Sequence, residues 1–256
     1  MFTRAIVRRP CRALINGLTG NPQLGKPDFE KALVQHEQYV DALKSCGLAV
    51  TELPAEEGFP DSCFVEDPAV LGEGWAVITN PGAPSRKGEA GLILPAIERF
   101  YSSSQIFRVT DPGTLEGGDV MRIDHTYYVG LSARTNAEGV AQFARFLEPL
   151  GCRVVAVPLE KVLHLKTGVN YLAEGHLLVS GEFEDSPLFA AFERHPVPQG
   201  EEYAANSLWV NGAVIVPSGF PKTTALIRSL GFPVKETDTS EFRKIDGGLS
   251  CLSLRF

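Results

Sequence analysis

The sequence predicts an α/β fold in which a strand-rich unit is repeated around a ring. Three observations support this prediction. Short β-hairpins recur four times along the 256 residues, helical segments and further strands follow them, and one apolar strand at each terminus remains to complete a fifth unit. The recurring unit is strand, hairpin, helix and strand, about 40–50 residues long. No linker rich in proline, glycine or serine interrupts it, so we expect a single domain over residues 1–256.

Each predicted hairpin joins two apolar strands through a tight polar or glycine turn. Asn211-Gly212 is the strongest of these turn signals, because both residues accept a positive φ. The four hairpins pair residues 69–71 with 75–79, 120–123 with 126–129, 170–173 with 176–180, and 208–210 with 213–216. The terminal strands are residues 5–8 and 252–255. Together they would close the ring.

The predicted helices begin at recognisable signals. Thr135 and Glu138 have capping-box spacing, which predicts a helix to about residue 150, ended by Gly151 and followed by a strand at 153–157. Two further helices start near Pro27 and at Pro221. The segment 89–100 is also helical in pattern, but it contains Pro95, which predicts a kink or a late start.

The composition excludes several classes of protein. A formal net charge of −7 argues against a nucleic-acid partner held by phosphate contacts. No apolar stretch approaches the ~18 residues of a membrane span, and the first ten residues do not resemble a secretion signal. Five cysteines without any C-x-x-C lack the signatures of a disulfide scaffold and of a zinc ribbon. We therefore expect a reduced, cytoplasmic enzyme.

Residues capable of chemistry stand just before each hairpin and before the last strand. If the units surround one axis, these positions converge on one central site. They lie in the segments 59–67, 115–119, 162–166, 203–206 and 245–251.

Two of these residues, Cys251 and His164, stand out as a nucleophile and its acid/base partner. Cys251 follows two glycines, where the backbone can approach a ligand closely. Cys11, Cys46 and Cys152 are interpreted as core residues, and Cys63, beside an acidic cluster, stays ambiguous. The five histidines show no ligand spacing, so no metal site is predicted. Gly117-Gly118 lacks the pattern of a phosphate loop.

These motifs, in this order, resemble the dimethylarginine dimethylaminohydrolase family, within the guanidino-modifying (amidinotransferase-like) superfamily. The resemblance covers nearly the whole chain and is closest to the bacterial branch. It rests on the segments 59–67, 81–86, 115–119, 132–136, 163–168 and 244–251. Several long, ordered motifs are far more specific than a single short pattern.

The resemblance implies a five-bladed α/β propeller of ββαβ units around a central active-site channel. It implies hydrolysis of methylated arginine to citrulline and methylamine or dimethylamine, with no cofactor and a small-molecule substrate as the partner. A homodimer is left open. The implied catalytic residues are Cys251 as nucleophile, His164 as acid/base and Glu116 as their acidic companion.

The resemblance also implies a set of substrate-binding residues. Asp61, Glu66 and Asp67 match positions that hold the guanidinium and amino ends of the substrate, and Arg86 and Arg134 match positions that face its carboxylate. Leu18 lies in a glycine-flanked loop that matches a mobile lid, and Ile245 matches a backbone contact.

Two alternatives stay open at this stage. An arginine deiminase or an amidinotransferase would use the same cysteine, histidine and acid, although both families tend to be longer than 256 residues. A ring that binds arginine-like ligands without catalysis is the alternative from a different class of protein. A citrulline assay separates all of these.

Overall fold

Five three-stranded sheets form the blades of an α/β propeller, as predicted. The computed structural model describes residues 1–256. In each blade the first two strands are antiparallel, and the third pairs in parallel with the middle one. At three of the five junctions between adjacent blades the first strands contact one another, and residues of all five first strands line the central channel.

The strands follow the predicted hairpins closely. The blades are β3 (Ala69–Gly72), β4 (Trp75–Ile78) and β5 (Ile106–Arg108); β6 (Val120–Ile123), β7 (Thr126–Leu131) and β8 (Arg153–Pro158); β9 (Val169–Ala173), β10 (His176–Val179) and β11 (Glu193–Pro196); β12 (Leu208–Val210), β13 (Ala213–Pro217) and β14 (Val234–Thr237); and β15 (Leu254–Arg255), β1 (Arg4–Arg8) and β2 (Ala49–Leu53). In the last blade β1 pairs with β15 and β2, so the two termini close the ring.

The helices are α1 (Phe29–Ser45), α2 (Glu89–Ile97), α3 (Ala137–Leu147), α4 (Leu165–Gly168), α5 (Pro221–Ser229) and α6 (Ser240–Arg243). The prediction for α3 was wrong at its first residue, because Asn136 rather than Thr135 is the cap: its side chain accepts a hydrogen bond from the Gly139 amide. Its C-terminal end was right, since a 3₁₀ turn continues to a left-handed Gly151. Pro95 lies inside α2, which nevertheless starts at Glu89.

Two features depart from the sequence prediction. The blade of β9–β11 has only 3₁₀ turns between its second and third strands, where a helix was expected. The last strand begins at Leu254 rather than at residue 252, because a 3₁₀ turn over Ser250–Leu252 precedes it. This turn contains Cys251.

Apolar side chains pack between adjacent blades rather than on the ring axis. The largest core cluster joins α1 to the strands beside it through Tyr39, Leu43 and Ile215. The axis is instead lined by polar side chains, among them Glu66, Lys166 and Arg255. Buried charges need partners, so the channel is where ion pairs and chemistry collect. None of the helices combines the length and the apolarity that a bilayer crossing requires.

Candidate active site

The polar residues that precede the inner strands meet at one end of the channel. Asp67 precedes β3, Glu116 precedes the turn into β6, His164 precedes α4 and β9, and Cys251 lies in the turn before β15. Since these strands lie side by side around the axis, the residues before them share one end of the ring. The structure thus brings together residues that are far apart in sequence, as the repeat pattern predicted.

His164 and Glu116 form a buried, hydrogen-bonded pair. The His164 Nε2 lies 2.7 Å from Glu116 Oε2. The other carboxylate oxygen accepts a hydrogen bond from the Ala83 amide at 3.2 Å. Burial alone would lower the pKa of His164, but the hydrogen bond to Glu116 and the charges of Asp67 and Asp119 raise it to about 9. The imidazole is therefore protonated at neutral pH.

Asp119 holds the segment that carries His164. Its carboxylate accepts hydrogen bonds from the Leu165 amide at 3.0 Å and from the Ser132 hydroxyl at 2.7 Å. Its own pKa is raised by burial, although the charge of His164 opposes that effect. The sequence placed Asp119 inside a matched motif without giving it a role. Its position one residue before a buried strand was the signal that could have identified it.

Asp67 is fixed on both sides by hydrogen bonds. One oxygen accepts from the Gly118 amide at 2.9 Å and the other from Arg86 Nη1 at 2.5 Å. Burial opposes ionisation, but Arg86 and His164 hold the pKa of Asp67 below its ordinary value. Asp67 is therefore a charged acceptor beside His164. Each oxygen has a second lone pair with which it can accept from a ligand.

Gly118 separates Asp67 from His164, and Gly118→Ala is expected to lower turnover strongly without unfolding the protein. A Cβ at this position would lie 2.9 Å from both Asp67 Oδ1 and His164 Nδ1, so one of the two side chains must move. A displacement near 1 Å in such a site costs about a hundredfold. We would measure kcat, with Gly91→Ala as the matched control, because nothing lies within 4 Å of its added carbon. An unchanged kcat in Gly118→Ala would contradict the packing described.

Cys251 is held as a neutral thiol in this environment. The Gly248 amide donates to its Sγ at 3.4 Å. Burial, followed by the charges of Glu66 and Asp67, raises the pKa of Cys251 to about 12. At neutral pH the resting site therefore contains a neutral thiol and an imidazolium, and no thiolate.

Arg86 lies beneath the site and is fully occupied by the protein itself. Its guanidinium donates to Asp67 and Glu89 and to the carbonyl oxygens of Asp61 and Phe64. Burial raises the pKa of Glu89 to about 7, although Arg86 opposes this shift. In this arrangement Arg86 orients Asp67. Its contact with a substrate carboxylate stays a prediction.

Replacing Arg86 by alanine is expected to destabilise the fold by about 3–5 kcal/mol, because two buried carboxylates would lose their partner. The free energy of unfolding in urea measures this loss. Arg145→Ala is the control, since that side chain is 61% exposed and pairs only with Glu138. A loss below about 1 kcal/mol in Arg86→Ala, comparable to a surface pair, would show that the buried network is not needed.

Arg134 differs from Arg86 in its exposure and its freedom. Its side chain is 20% exposed, and its one ion pair is with Glu116 at 3.6 Å. Gly82 packs directly against the Arg134 backbone, where an added Cβ would lie 2.3 Å from the carbonyl oxygen. The backbone at Arg134 is thus held in place while guanidinium donors remain available to a ligand.

The loop that contains Leu18 is tied over the site. The Leu18 amide donates to Asp61 Oδ1 at 3.0 Å, and Gly17 packs against Asp61 and Ile245. Asp246 accepts from the Gly20 amide at 2.5 Å and from the Asn21 side chain at 2.7 Å. Three of the predicted binding residues, Leu18, Asp61 and Ile245, are therefore in one cluster. The hydrogen bonds of Asp246 hold this loop in place, a role that the sequence did not predict.

Glu66 points into the channel, behind the site. Its carboxylate pairs with Lys166 and Arg255 and accepts from the Ser250 hydroxyl at 2.8 Å. Lys166 was named in a motif but was given no role, and Arg255 was read only as part of the last strand. The Glu66 amide also donates to the Cys251 carbonyl at 3.1 Å, so Glu66 supports the turn that carries the thiol.

Three side chains of the site have atoms that could bind a metal ion, but the Arg86 guanidinium already provides a positive charge there. The donor atoms of Asp67, Glu116 and His164 lie within 4.8 Å of one another. Arg86 occupies one oxygen of Asp67, and His164 and Glu116 are hydrogen-bonded to each other. These partners would compete with a metal ion. The expectation that the chain uses no metal and no cofactor stays a prediction.

Comparison with known proteins first identifies the fold. The N-terminal domain of ArgZ, an arginine dihydrolase from cyanobacteria, superposes with a TM-score of 0.88 at 22% identity over 100% of this chain and 97% of that one. At this identity the likeness establishes the α/β propeller alone.

Closer relatives then identify the family. The family sequence model described as "N,N dimethylarginine dimethylhydrolase, eukaryotic" matches residues 25–185. The N(G),N(G)-dimethylarginine dimethylaminohydrolase of Pseudomonas aeruginosa is 51% identical over 100% of both chains, and that of Streptomyces coelicolor is 42% identical over 98% of this chain and 96% of its own. The chain belongs to the dimethylarginine dimethylaminohydrolase family.

The similar solved structures include ligand complexes. A cysteine-to-serine mutant of the Pseudomonas aeruginosa enzyme, complexed with citrulline, has a TM-score of 0.98 at 50% identity, with 100% of both chains covered. A second structure, a histidine-to-glycine variant in an adduct with S-methyl-L-thiocitrulline, has a TM-score of 0.97 at 50% identity over the same coverage.

Proposed function

We propose that this chain hydrolyses Nω-methylated and Nω,Nω-dimethylated L-arginine to L-citrulline and methylamine or dimethylamine. The observation that carries the proposal is the buried His164–Glu116 pair, set with Asp67 beside the thiol of Cys251. The family membership and the citrulline complex of a relative support it. The carboxylates suit a planar cation, since charge-assisted hydrogen bonds hold its N–H edges.

In the proposed reaction the guanidinium lies between Asp67 and Glu116. Its positive charge lowers the pKa of Cys251, so the thiol can lose its proton to solvent before it attacks. The Cys251 thiolate attacks the central carbon and forms a tetrahedral adduct. Protonated His164 gives its proton to the methylated nitrogen, and the amine leaves. The bond that breaks is C–N, and Cys251 keeps the remaining amidino group.

The second half of the reaction restores the site. Neutral His164 now takes a proton from water, which attacks the same carbon. The new adduct expels the sulfur, and citrulline leaves. The hydroxyl proton returns to Cys251. Because Glu116 holds His164 Nε2, Nδ1 is the nitrogen that carries both proton transfers.

The test is a turnover assay on the whole chain with asymmetric dimethylarginine, monomethylarginine and arginine. We expect citrulline and the amine in equal amounts from the methylated substrates, and little product from arginine. Faster turnover of arginine with release of ammonia would instead indicate a deiminase. No citrulline from any of the three, with ligand still bound, would indicate a non-catalytic ring.

We infer that Arg134 recognises the α-carboxylate, and Arg134→Ala is expected to raise KM for free methylarginine roughly ten- to a hundredfold with little change in kcat. Loss of one charge-assisted contact is worth about 1.5–3 kcal/mol. Arg134→Lys should recover part of the loss, and Arg145→Ala should change nothing. The same contact predicts that methylarginine within a peptide is rejected. A large fall in kcat at unchanged KM would refute this role.

We propose that residues 1–256 act as one catalytic domain, because the terminal strands β1 and β15 pair with each other. We also propose a reduced compartment, the cytoplasm, since all five cysteines are free thiols in the structure. Assembly into a homodimer stays open to measurement.

A further inference from the structure

Two histidines and a carboxylate meet on the middle and outer strands, β10 and β11, of the blade formed by β9–β11. His176 begins β10, and Glu193 is its partner in the parallel register with β11. His195 lies two residues beyond Glu193, so its side chain is on the same face of the sheet. His176 Nδ1 is 2.9 Å from His195 Nε2 and 3.3 Å from Glu193 Oε2.

This cluster is remote from the proposed active site. β9 starts at the end of the ring where His164 lies, and β10 runs antiparallel to β9. The first residue of β10 is therefore at the opposite end of the blade. Neither His176 nor His195 has a part in the mechanism above.

We propose that His176, Glu193 and His195 form a binding site for a divalent late transition-metal ion, with Zn²⁺ as its representative. Two imidazole nitrogens and one carboxylate are a ligand set that Zn²⁺ binds in proteins, and three protein ligands leave the fourth position to water. The three donor atoms lie within 4.8 Å of one another.

The distances suit a tetrahedral ion after a small movement. Zn–N bonds of about 2.0–2.1 Å place two ligand nitrogens about 3.3 Å apart. The two imidazoles, now 2.9 Å apart, would need to separate by only a few tenths of an ångström. The ion would replace the hydrogen bond between them, with each ring proton on the nitrogen that faces away.

One ligand is held firmly and another is free to adjust. His176 is only 19% exposed, and the Phe232 ring meets it edge-on with centroids 5.7 Å apart. The Glu193 side chain is 73% exposed, so it can close on an ion at little cost. The cluster therefore combines a preorganised imidazole pair with an accessible carboxylate.

The test measures Zn²⁺ binding to the whole chain by equilibrium dialysis. A Cys251→Ser/His164→Gln background removes the metal-binding potential of the active site. We expect one ion to bind in this background and the affinity to fall by a hundredfold or more in added His176→Asn or His195→Asn, since even a residue that only supports a ligand is worth ten- to a hundredfold. His125→Asn, at an exposed hairpin turn, is the matched control.

Two further measurements keep the result interpretable. Glu193→Gln changes an exposed side chain, so weaker binding there does not reflect misfolding. Co²⁺ bound at this site should show ligand-field bands without a thiolate charge-transfer band, and His176→Asn in the otherwise native chain should leave turnover unchanged. Two results would overturn the proposal: absence of saturable Zn²⁺ binding in the background variant, or an affinity that none of the substitutions at His176, His195 and Glu193 changes. The three side chains would then form only a hydrogen-bonded cluster.

Discussion

Replacement of Cys251 by serine is expected to abolish citrulline formation, by at least about 10⁴-fold in kcat, while binding of a cationic ligand persists. Removal of an enzyme's nucleophile typically costs this much or more. A serine hydroxyl is a far weaker acid than a thiol, and His164 is already protonated at neutral pH, so it cannot serve as the base. Single-turnover citrulline formation and ligand titration measure the two properties separately.

Cys63 provides the matched control for this substitution. It is buried among apolar side chains beside Phe64, and burial raises the pKa of its thiol well above the ordinary value. Cys63→Ser should leave turnover nearly intact, although a buried hydroxyl costs about 1–3 kcal/mol of stability. Cys63→Ala avoids that cost. Loss of activity on changing Cys63, with activity retained on changing Cys251, would show that the nucleophile is assigned wrongly.

The inner and middle strands of the propeller were predictable because their signals are local. Alternation around a tight turn, as at Asn211-Gly212, marks a hairpin wherever it occurs. Among the third strands, β8 was predicted, at residues 153–157, but β11 was not. β11 reads Glu-Arg-His-Pro and is polar at half-exposed positions, so nothing in its composition marks a strand. It forms because β10 offers it a parallel edge, which is a property of the assembled blade.

The same limit applies to the roles of the charged side chains. A matched motif predicts that Arg86 and Arg134 lie near the ligand, but only the structure shows that Arg86 is enclosed by carboxylates whereas Arg134 is partly exposed. The cluster at His176 shows this more sharply. Its two histidines are far apart along the chain and show no ligand spacing, yet parallel pairing of β10 with β11 places them in contact. Ligand spacing identifies sites within one element, and the repeat pattern identified the site at the end of the channel. Neither of them identifies a cluster that forms only when two strands pair.

The final prediction is that the substrate's own charge lowers the pKa of Cys251 and so increases the fraction of thiolate. In the empty site, burial and the charges of Glu66 and Asp67 raise the pKa of Cys251 to about 12, so the thiol is neutral at pH 7. A guanidinium about 4 Å from the sulfur, at an effective dielectric near 20, contributes about 4 kcal/mol, or roughly three pK units. That is an upper bound, because Asp67 and Glu116 partly neutralise the cation.

The directions of the pKa shifts of Cys251 and His164 determine how the protonation of the site changes with pH. The pKa of Cys251 is raised, so the free thiol loses its proton only in alkaline solution. The pKa of His164 is also raised, to about 9, so the imidazolium needed for the leaving amine persists to about that pH. At pH 7 the resting site therefore contains a protonated His164, which can act as the acid, and a protonated Cys251, which cannot yet act as the nucleophile. Binding of a cation should lower the thiol pKa without requiring His164 to accept its proton.

Thiolate absorbance followed against pH tests this directly in the free protein and with a non-reacting cationic guanidino ligand. Cys251→Ser supplies the background from the other thiols. Citrulline is the matched neutral ligand, since it has similar size but no charge. We expect a pKa for Cys251 at or above the ordinary thiol value of about 8.5 in the free protein, a fall of one unit or more with the cationic ligand, and no such fall with citrulline. A Cys251 pKa that is already below about 7 in the empty protein, and that neither ligand changes, would contradict this prediction. It would indicate a preformed thiolate–imidazolium pair.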